Sequence, residues 1–174
     1  DLNNDSKLDI IASGNDGITN FLRANINVSG AYSTIIPIST DLATDIDWGD
    51  VDADGDKDLL ITNATESFIL TQTSANTFSR TVTNTFSLHA VLVDYDLDYD
   101  LDVVGDGIYS NKEIEFLETH ALFPTPNGYA NFGNTYAADL DGDGDRDLLR
   151  AERSSARGSI NYQAVAYFNQ NNIF

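Results

Sequence analysis

The sequence contains no cysteine and no methionine, and only nine of its 174 residues are lysine or arginine. Without cysteine there are no disulfides, no thiolate metal ligands and no thiol nucleophiles. Nine basic residues against 28 acidic ones leave a formal net charge of -19. A field of that sign repels nucleic acid and anionic membrane surfaces and attracts cations. No apolar run reaches the length of a membrane span, and no secretory leader is visible. A chain that starts at Asp1 and has no Met is expected to be a processed product, a fragment or the ordered part of a longer protein.

What is present is enough apolar material for a core: 41% of the residues are hydrophobic, which separates this chain from a disordered acidic tail. The acidity is not scattered either. Eighteen of the 28 acidic residues lie in four nine-residue segments, which open DLNNDSKLDII at Asp1, DVDADGDKDLL at Asp50, DYDLDYDLDVV at Asp94 and DLDGDGDRDLL at Asp139. The starts are 49, 44 and 45 residues apart, a period that belongs to solenoids and propellers. A solvated low-complexity tract would not recur in phase with apolar runs.

The surroundings repeat as well. Strand-like stretches precede the last three segments at 45–49, 89–93 and 135–138, and a short apolar run follows each segment. Turn-rich stretches then lead to the aromatic strands ITNFLRAN, SFILTQT, EIEFLET and AVAYFNQ, and several units close on Gly or Asn plus an aromatic, as in SGAYS, ANTFS and NNIF. Such runs between turn residues are strand signals, and nothing sustains a helical period. The expected fold is all-β: one repeat domain over 1–174, with approximate repeats 1–44, 45–88, 89–132 and 133–174. Each repeat is expected to form four short strands, a propeller blade.

Oxygen-bearing side chains occupy positions 1, 3, 5 and 9 of each segment. The sets are Asp1, Asn3, Asp5, Asp9; Asp50, Asp52, Asp54, Asp58; Asp94, Asp96, Asp98, Asp102; and Asp139, Asp141, Asp143, Asp147. Carboxylates held this close repel one another unless a cation neutralises them. Calcium takes six to eight oxygens in flexible geometry, whereas magnesium keeps a strict octahedron and its waters, so a cage of protein oxygens favours calcium. Position 7 is expected to offer a backbone carbonyl, from Lys7, Asp56, Asp100 or Asp145. Up to four Ca²⁺ ions are therefore expected. Position 6 must turn with positive φ; Gly55 and Gly144 suit it, and Ser6 and Tyr99 do not. An EF-hand needs Glu at position 12 between helices, where this chain has Ala12, Ile61, Gly105 and Arg150.

The pattern D-x-D-x-D-G-x-x-D-L, repeated in phase and preceded by a strand, resembles the FG-GAP/VCBS repeats of integrin α-chains and bacterial surface proteins. DWGDVDADGDKDLL and NFGNTYAADLDGDGDRDLL carry the likeness most closely, the second with Phe132-Gly133. The resemblance implies a calcium-binding loop that joins the innermost strand of a blade to the next strand. It also implies a larger propeller, typically of seven blades. Calcium in such loops is structural rather than catalytic, and its weak binding suits millimolar extracellular calcium.

Other residues receive plainer readings. His89 and His120 sit in no catalytic motif. Trp48, Phe21, Phe68, Phe116 and Phe168 are expected in the core. Arg146, Arg150, Arg153 and Arg157 are read as local compensation of acidic surface. No carboxylate pair stands apart from the loops to serve a glycosidase, so no catalysis is expected. Asn4, Asn27 and Asn63 fit the N-glycosylation tripeptide, as expected by chance in so Asn-rich a chain.

The resemblance implies that an inner strand precedes each loop, so the first unit, which begins at its loop, is expected to lack that strand and to leave an open edge. Three completions follow: more blades in a longer propeller, a strand from a neighbouring copy, or a return of the C-terminal strand. Two functional classes follow as well. One is an extracellular or cell-surface module for adhesion or for binding a protein or glycan. The other is a self-associating subunit of an extracellular filament or matrix.

Overall fold

The computed structural model describes residues 1–63, 65–82, 89–105, 107–112, 115–120, 129–156 and 159–169, with the backbone path alone at 82, 115–120, 129–134, 152–156 and 159–161. The described residues form fourteen strands and no helix. The first sheet holds β1 (Ile10–Asn15), β2 (Asn20–Val28) and β3 (Ala31–Ser39). The second holds β4 (Asp45–Gly49), β5 (Asp58–Thr62), β6 (Ser67–Ser74) and β7 (Thr77–Val82). The third holds β8 (Val91–Val93), β9 (Asp102–Val104), β10 (Ile108–Lys112) and β11 (Glu115–His120). The fourth holds β12 (Tyr129–Ala138), β13 (Asp147–Ala156) and β14 (Ser159–Tyr167).

Every pairing is antiparallel between strands consecutive in the chain, so each sheet is a meander. Three acidic segments are the turns β4–β5, β8–β9 and β12–β13, and the first leads directly into β1.

The sheets pack face to face through three successive cores. Strand side chains alternate between faces, and the repeat uses both. Leu59, Ile61, Phe68 and Leu70 point back to Leu22, Ala24 and Ile26 of the first sheet. Leu60 and Ile69, one residue out of step, point forward to Ala90, Val103 and Tyr109 of the third. Val104 and Ile108 then meet Leu148 of the fourth. In the second and third sheets the first residue after position 9 faces the preceding sheet and the second faces the following one. β5, covered on both sides, is buried along its whole length, which explains the unbroken apolar run Leu59-Leu60-Ile61. Gly49 marks a close approach between sheets, because a side chain there would overlap Leu101.

Several expectations are corrected here. Trp48 is 59% exposed rather than core. β1 is the edge of the first sheet, so among the described residues no strand lies across from Trp48, whereas its counterpart Leu92 in β8 packs against the second sheet. Phe168 is 46% exposed, following β14 on the outward face of the fourth sheet. Phe68 is buried as expected, and Phe21 is half-buried beneath the Arg23 guanidinium, 4.4 Å from its ring centre. The Phe116 and His120 side chains lie outside the described residues. The described part of EIEFLET, residues 115–119, falls in β11, a fourth strand, and the third strand of that unit is β10. The β9–β10 link is so tight, with the Gly105 N–H donating to the Gly107 carbonyl at 2.9 Å, that it escaped the sequence pattern. SGAYS and ANTFS do not close units. They hold the β2–β3 and β6–β7 hairpin turns, with positive φ at Ser29, Gly30 and Asn76; NNIF lies outside the described residues. Arg150 is buried, in the row where β5 has Ile61, and so does not neutralise surface. Arg146 is exposed. The Arg153 side chain and Arg157 lie outside the described residues.

Candidate metal centre

Each acidic loop is wound by its own carboxylates. The Asp1 carboxylate accepts from the Asp5 and Ser6 N–H groups at 3.0 and 2.7 Å, and Asp50 and Asp139 accept from Gly55 and Gly144 at 3.1 and 3.2 Å. Asp94 does the same for Tyr99 at 3.2 Å. Position 5 accepts from position 7 in all four loops, at 2.9–3.2 Å. These local bonds are the turn-forming habit of Asp.

The backbone turns twice. Position 6 has positive φ at Ser6, Gly55, Tyr99 and Gly144, so the non-glycine residues adopt the conformation that sequence reasoning held against them. Position 4 also has positive φ, at Asn4, Ala53, Leu97 and Gly142; Asn4 and Gly142 suit that conformation, whereas Ala53 and Leu97 conceal it. Left-handed backbone costs an L-residue roughly 1–2 kcal/mol. Tyr99 is 95% exposed and has little packing to lose. Tyr99→Gly is therefore expected to stabilise the calcium-free chain by about 0.5–1 kcal/mol, the strain relieved less the entropy of glycine, as read from a urea melt.

Winding the loops this way gathers positions 1, 3 and 9. Asp50, Asp52 and Asp58 offer oxygens that lie within 4.8 Å of one another, as do Asp94, Asp96 and Asp102, and Asp139, Asp141 and Asp147. The position-5 residues Asp54, Asp98 and Asp143 stand outside these closest groups. Loop 1 brings together no three acidic residues among those described. Asn3 carries no charge, and Lys7 Nζ lies 2.9 Å from Asp5 Oδ2, placing a side-chain cation in the loop.

Position 9 has a second task. Asp58, Asp102 and Asp147 are fully buried, and in all four loops Oδ2 accepts the N–H of position 2: Leu2 at 2.7 Å, Val51 at 2.7 Å, Tyr95 at 2.9 Å and Leu140 at 2.7 Å. Oδ1 accepts a backbone N–H from Asn27, Gln72, Asn111 or Asn169, at 2.8–2.9 Å. The position-9 carboxylate is thus a structural post as well as a member of the acidic group.

Removal from water pushes the Asp102 carboxyl up to about 6. The same cause, with repulsion from neighbouring loop acids, takes Asp100 and Asp145 to about 6 and raises Asp52, Asp58, Asp96 and Asp141. A raised folded-state value means the native chain holds its proton more tightly than the unfolded chain. That stabilisation is complete below the ordinary 3.8 and is lost as pH rises through about 6. In EDTA the melting temperature should therefore rise as pH falls from 7 towards 5, and with calcium present this trend should weaken or reverse, because protons compete for the ligands. Melting curves at several pH values, with and without calcium, check both signs.

A hard cation fits these groups. Asp50 Oδ1, Asp94 Oδ1 and Asp96 Oδ1 are shielded from solvent yet accept no hydrogen bond, which is costly for a carboxylate oxygen unless a positive partner meets it. All the donors are hard oxygens, suited to calcium, magnesium or manganese rather than softer metals. The three glycosylation candidates are engaged in structure: the Asn4 amide donates to Asp56 Oδ1 at 2.8 Å, Asn27 donates to the Leu8 carbonyl at 3.3 Å, and Asn63 Oδ1 accepts from Thr65 and Glu66, each at 2.9 Å. His89 Nδ1 lies 3.4 Å from Asp45 Oδ2. Comparison with protein-family models finds no matching family, and neither a curated protein nor a solved structure matches the chain.

Proposed function

We propose that this chain is a calcium-stabilised β-propeller module of the FG-GAP/VCBS type, working outside the cell, each sheet a blade, with a protein or glycan as ligand and no catalysis. The observation that carries the reading is the recurrence of one three-carboxylate group at the same turn of three successive sheets. The stacking of sheets through alternating faces and the contact of β4 with β8 and of β8 with β12 also support it, because blades round an axis adjoin through their first strands. Calcium is favoured by an all-oxygen, carboxylate-rich ligand set. An extracellular setting follows from the weak affinity of such loops, about 10⁻⁴–10⁻³ M in extracellular modules, which millimolar calcium would fill. A net charge of -19 argues against nucleic acid as a partner.

Native mass spectrometry at submillimolar calcium should find three ions per chain, with a fourth in loop 1 only at higher concentration, because Asn3 and the Lys7–Asp5 pair weaken that loop. A chain that takes up no calcium would overturn the reading.

A second reading, a self-associating subunit of an extracellular filament or matrix, is favoured by the outward face of the fourth sheet, where Tyr136, Leu149 and Tyr162 are exposed. Size-exclusion chromatography in calcium separates the two: discrete particles that retain a protein or glycan support the first, and polymers support the second.

A further inference from the structure

Four residues occupy one position of the repeat: Asn27 in β2, Gln72 in β6, Asn111 in β10 and Asn169 just after β14. Each gives its backbone N–H to the position-9 carboxylate of its own unit. Three of them use the other end differently. Gln72 Nε2 donates to the Leu2 carbonyl at 3.2 Å, Asn111 Nδ2 to the Val51 carbonyl at 2.9 Å and Asn169 Nδ2 to the Tyr95 carbonyl at 3.4 Å. Those carbonyls belong to position 2 of the preceding loop. Asn27 instead donates to Leu8 of its own loop.

Position 2 is flanked by the carboxylates of positions 1 and 3 in loops 2 to 4, and by Asp1 and the amide of Asn3 in loop 1. Val51 lies between Asp50 and Asp52, and Tyr95 between Asp94 and Asp96. Asn111 therefore holds the peptide between two loop-2 carboxylates with its amide while a loop-3 carboxylate holds its backbone. Gln72, Asn111 and Asn169 are at most 2% exposed, so water does not readily substitute for either bond.

We propose that these three buried amides couple the four loops in series, so that the cations bind cooperatively; the proposal rests on the calcium reading above. A cation drawn to loop 3 fixes Asp102. Asp102 fixes the Asn111 peptide, and the Asn111 amide fixes Val51 and the carboxylates on either side of it. The ordering cost at loop 2 is then partly met before its own ion arrives, and linkage makes the effect reciprocal.

The test is equilibrium dialysis of the full chain against radioactive calcium. The wild-type isotherm should be sigmoidal. Asp98→Ala, which takes from loop 3 the position-5 oxygen that the sequence pattern assigns to the ion, should remove one ion and raise the half-saturation of the others by about fivefold, the lower end of ordinary coupling. Asn111→Leu should weaken binding though it touches no ion, and Asp98→Ala added to it should produce no further shift at loop 2. Asn111→Gln, the residue the second sheet uses, should restore the coupling, and Asn27→Leu should leave it intact. A hyperbolic wild-type isotherm with full stoichiometry overturns the coupling while leaving calcium binding in place, whatever the variants do. Shifts from Asp98→Ala and Asn111→Leu that simply multiply also overturn it, since Asn111 would then be only structural. Absence of bound calcium overturns the calcium reading and the coupling with it.

Discussion

Removal of calcium with EDTA is expected to lower the melting temperature by about 10–20 °C. A site that binds only the native state stabilises it by RT ln(1 + [L]/Kd). At about 2 mM calcium and a Kd of about 10⁻⁴ M, each site contributes roughly 2 kcal/mol, so three add about 5 kcal/mol. In a domain of this size each kcal/mol moves the melting temperature by about 2–4 °C. The direction follows from the loops, where shielded oxygens of Asp50, Asp94 and Asp96 have no partner of their own. Scanning fluorimetry in calcium, in EDTA and in EDTA with excess calcium restored should show a reversible shift, and an unchanged curve would refute a structural ion.

The second large effect is expected from Asp58→Ala, and it should persist without calcium. The substitution strips the acceptor from two buried N–H groups, those of Val51 and Gln72. Each such loss costs about 1–3 kcal/mol, so the total of roughly 3–5 kcal/mol is a large share of the stability of an ordinary domain. Relief of repulsion among the loop acids will offset part of this in EDTA. Asp54→Ala provides the contrast. Position 5 is exposed and serves one local N–H, from Asp56 at 2.9 Å, so its loss should lower the calcium-bound melting temperature and leave the EDTA value nearly unchanged. Urea melts of both variants in both conditions distinguish the post from the ligand. If Asp58→Ala were silent in EDTA, the structural role of position 9 would be wrong.

The all-β fold and the in-phase acidic turns were legible because both depend on local pattern. Leu59-Leu60-Ile61 reads as a strand from composition, and Asp50, Asp52 and Asp58 converge because a short loop leaves them nowhere else to go. What the sequence hid depends on partners or on variable lengths. Ala53 and Leu97 give no hint that position 4 turns left-handed, since neither is a turn residue. The three amide bridges follow position 9 by 14, 9 and 22 residues, because the intervening strands and hairpins differ in length, and no fixed spacing betrays them. Trp48 looked like core because aromatic residues in an inner strand usually are, and only the neighbouring sheet decides otherwise.

The bridges also give the stack an arrow. Each of the three bridging amides reaches backward to the preceding loop, and the second and third sheets each turn one apolar residue back and the next one forward. Two stacks brought together by a two-fold axis would set forward face against forward face, carbonyl against carbonyl, and none of these bonds would form. Only head-to-tail joining repeats the contact. An assembly built on it is therefore polar, either a ring whose members all circulate in one sense or a fibre with two unlike ends.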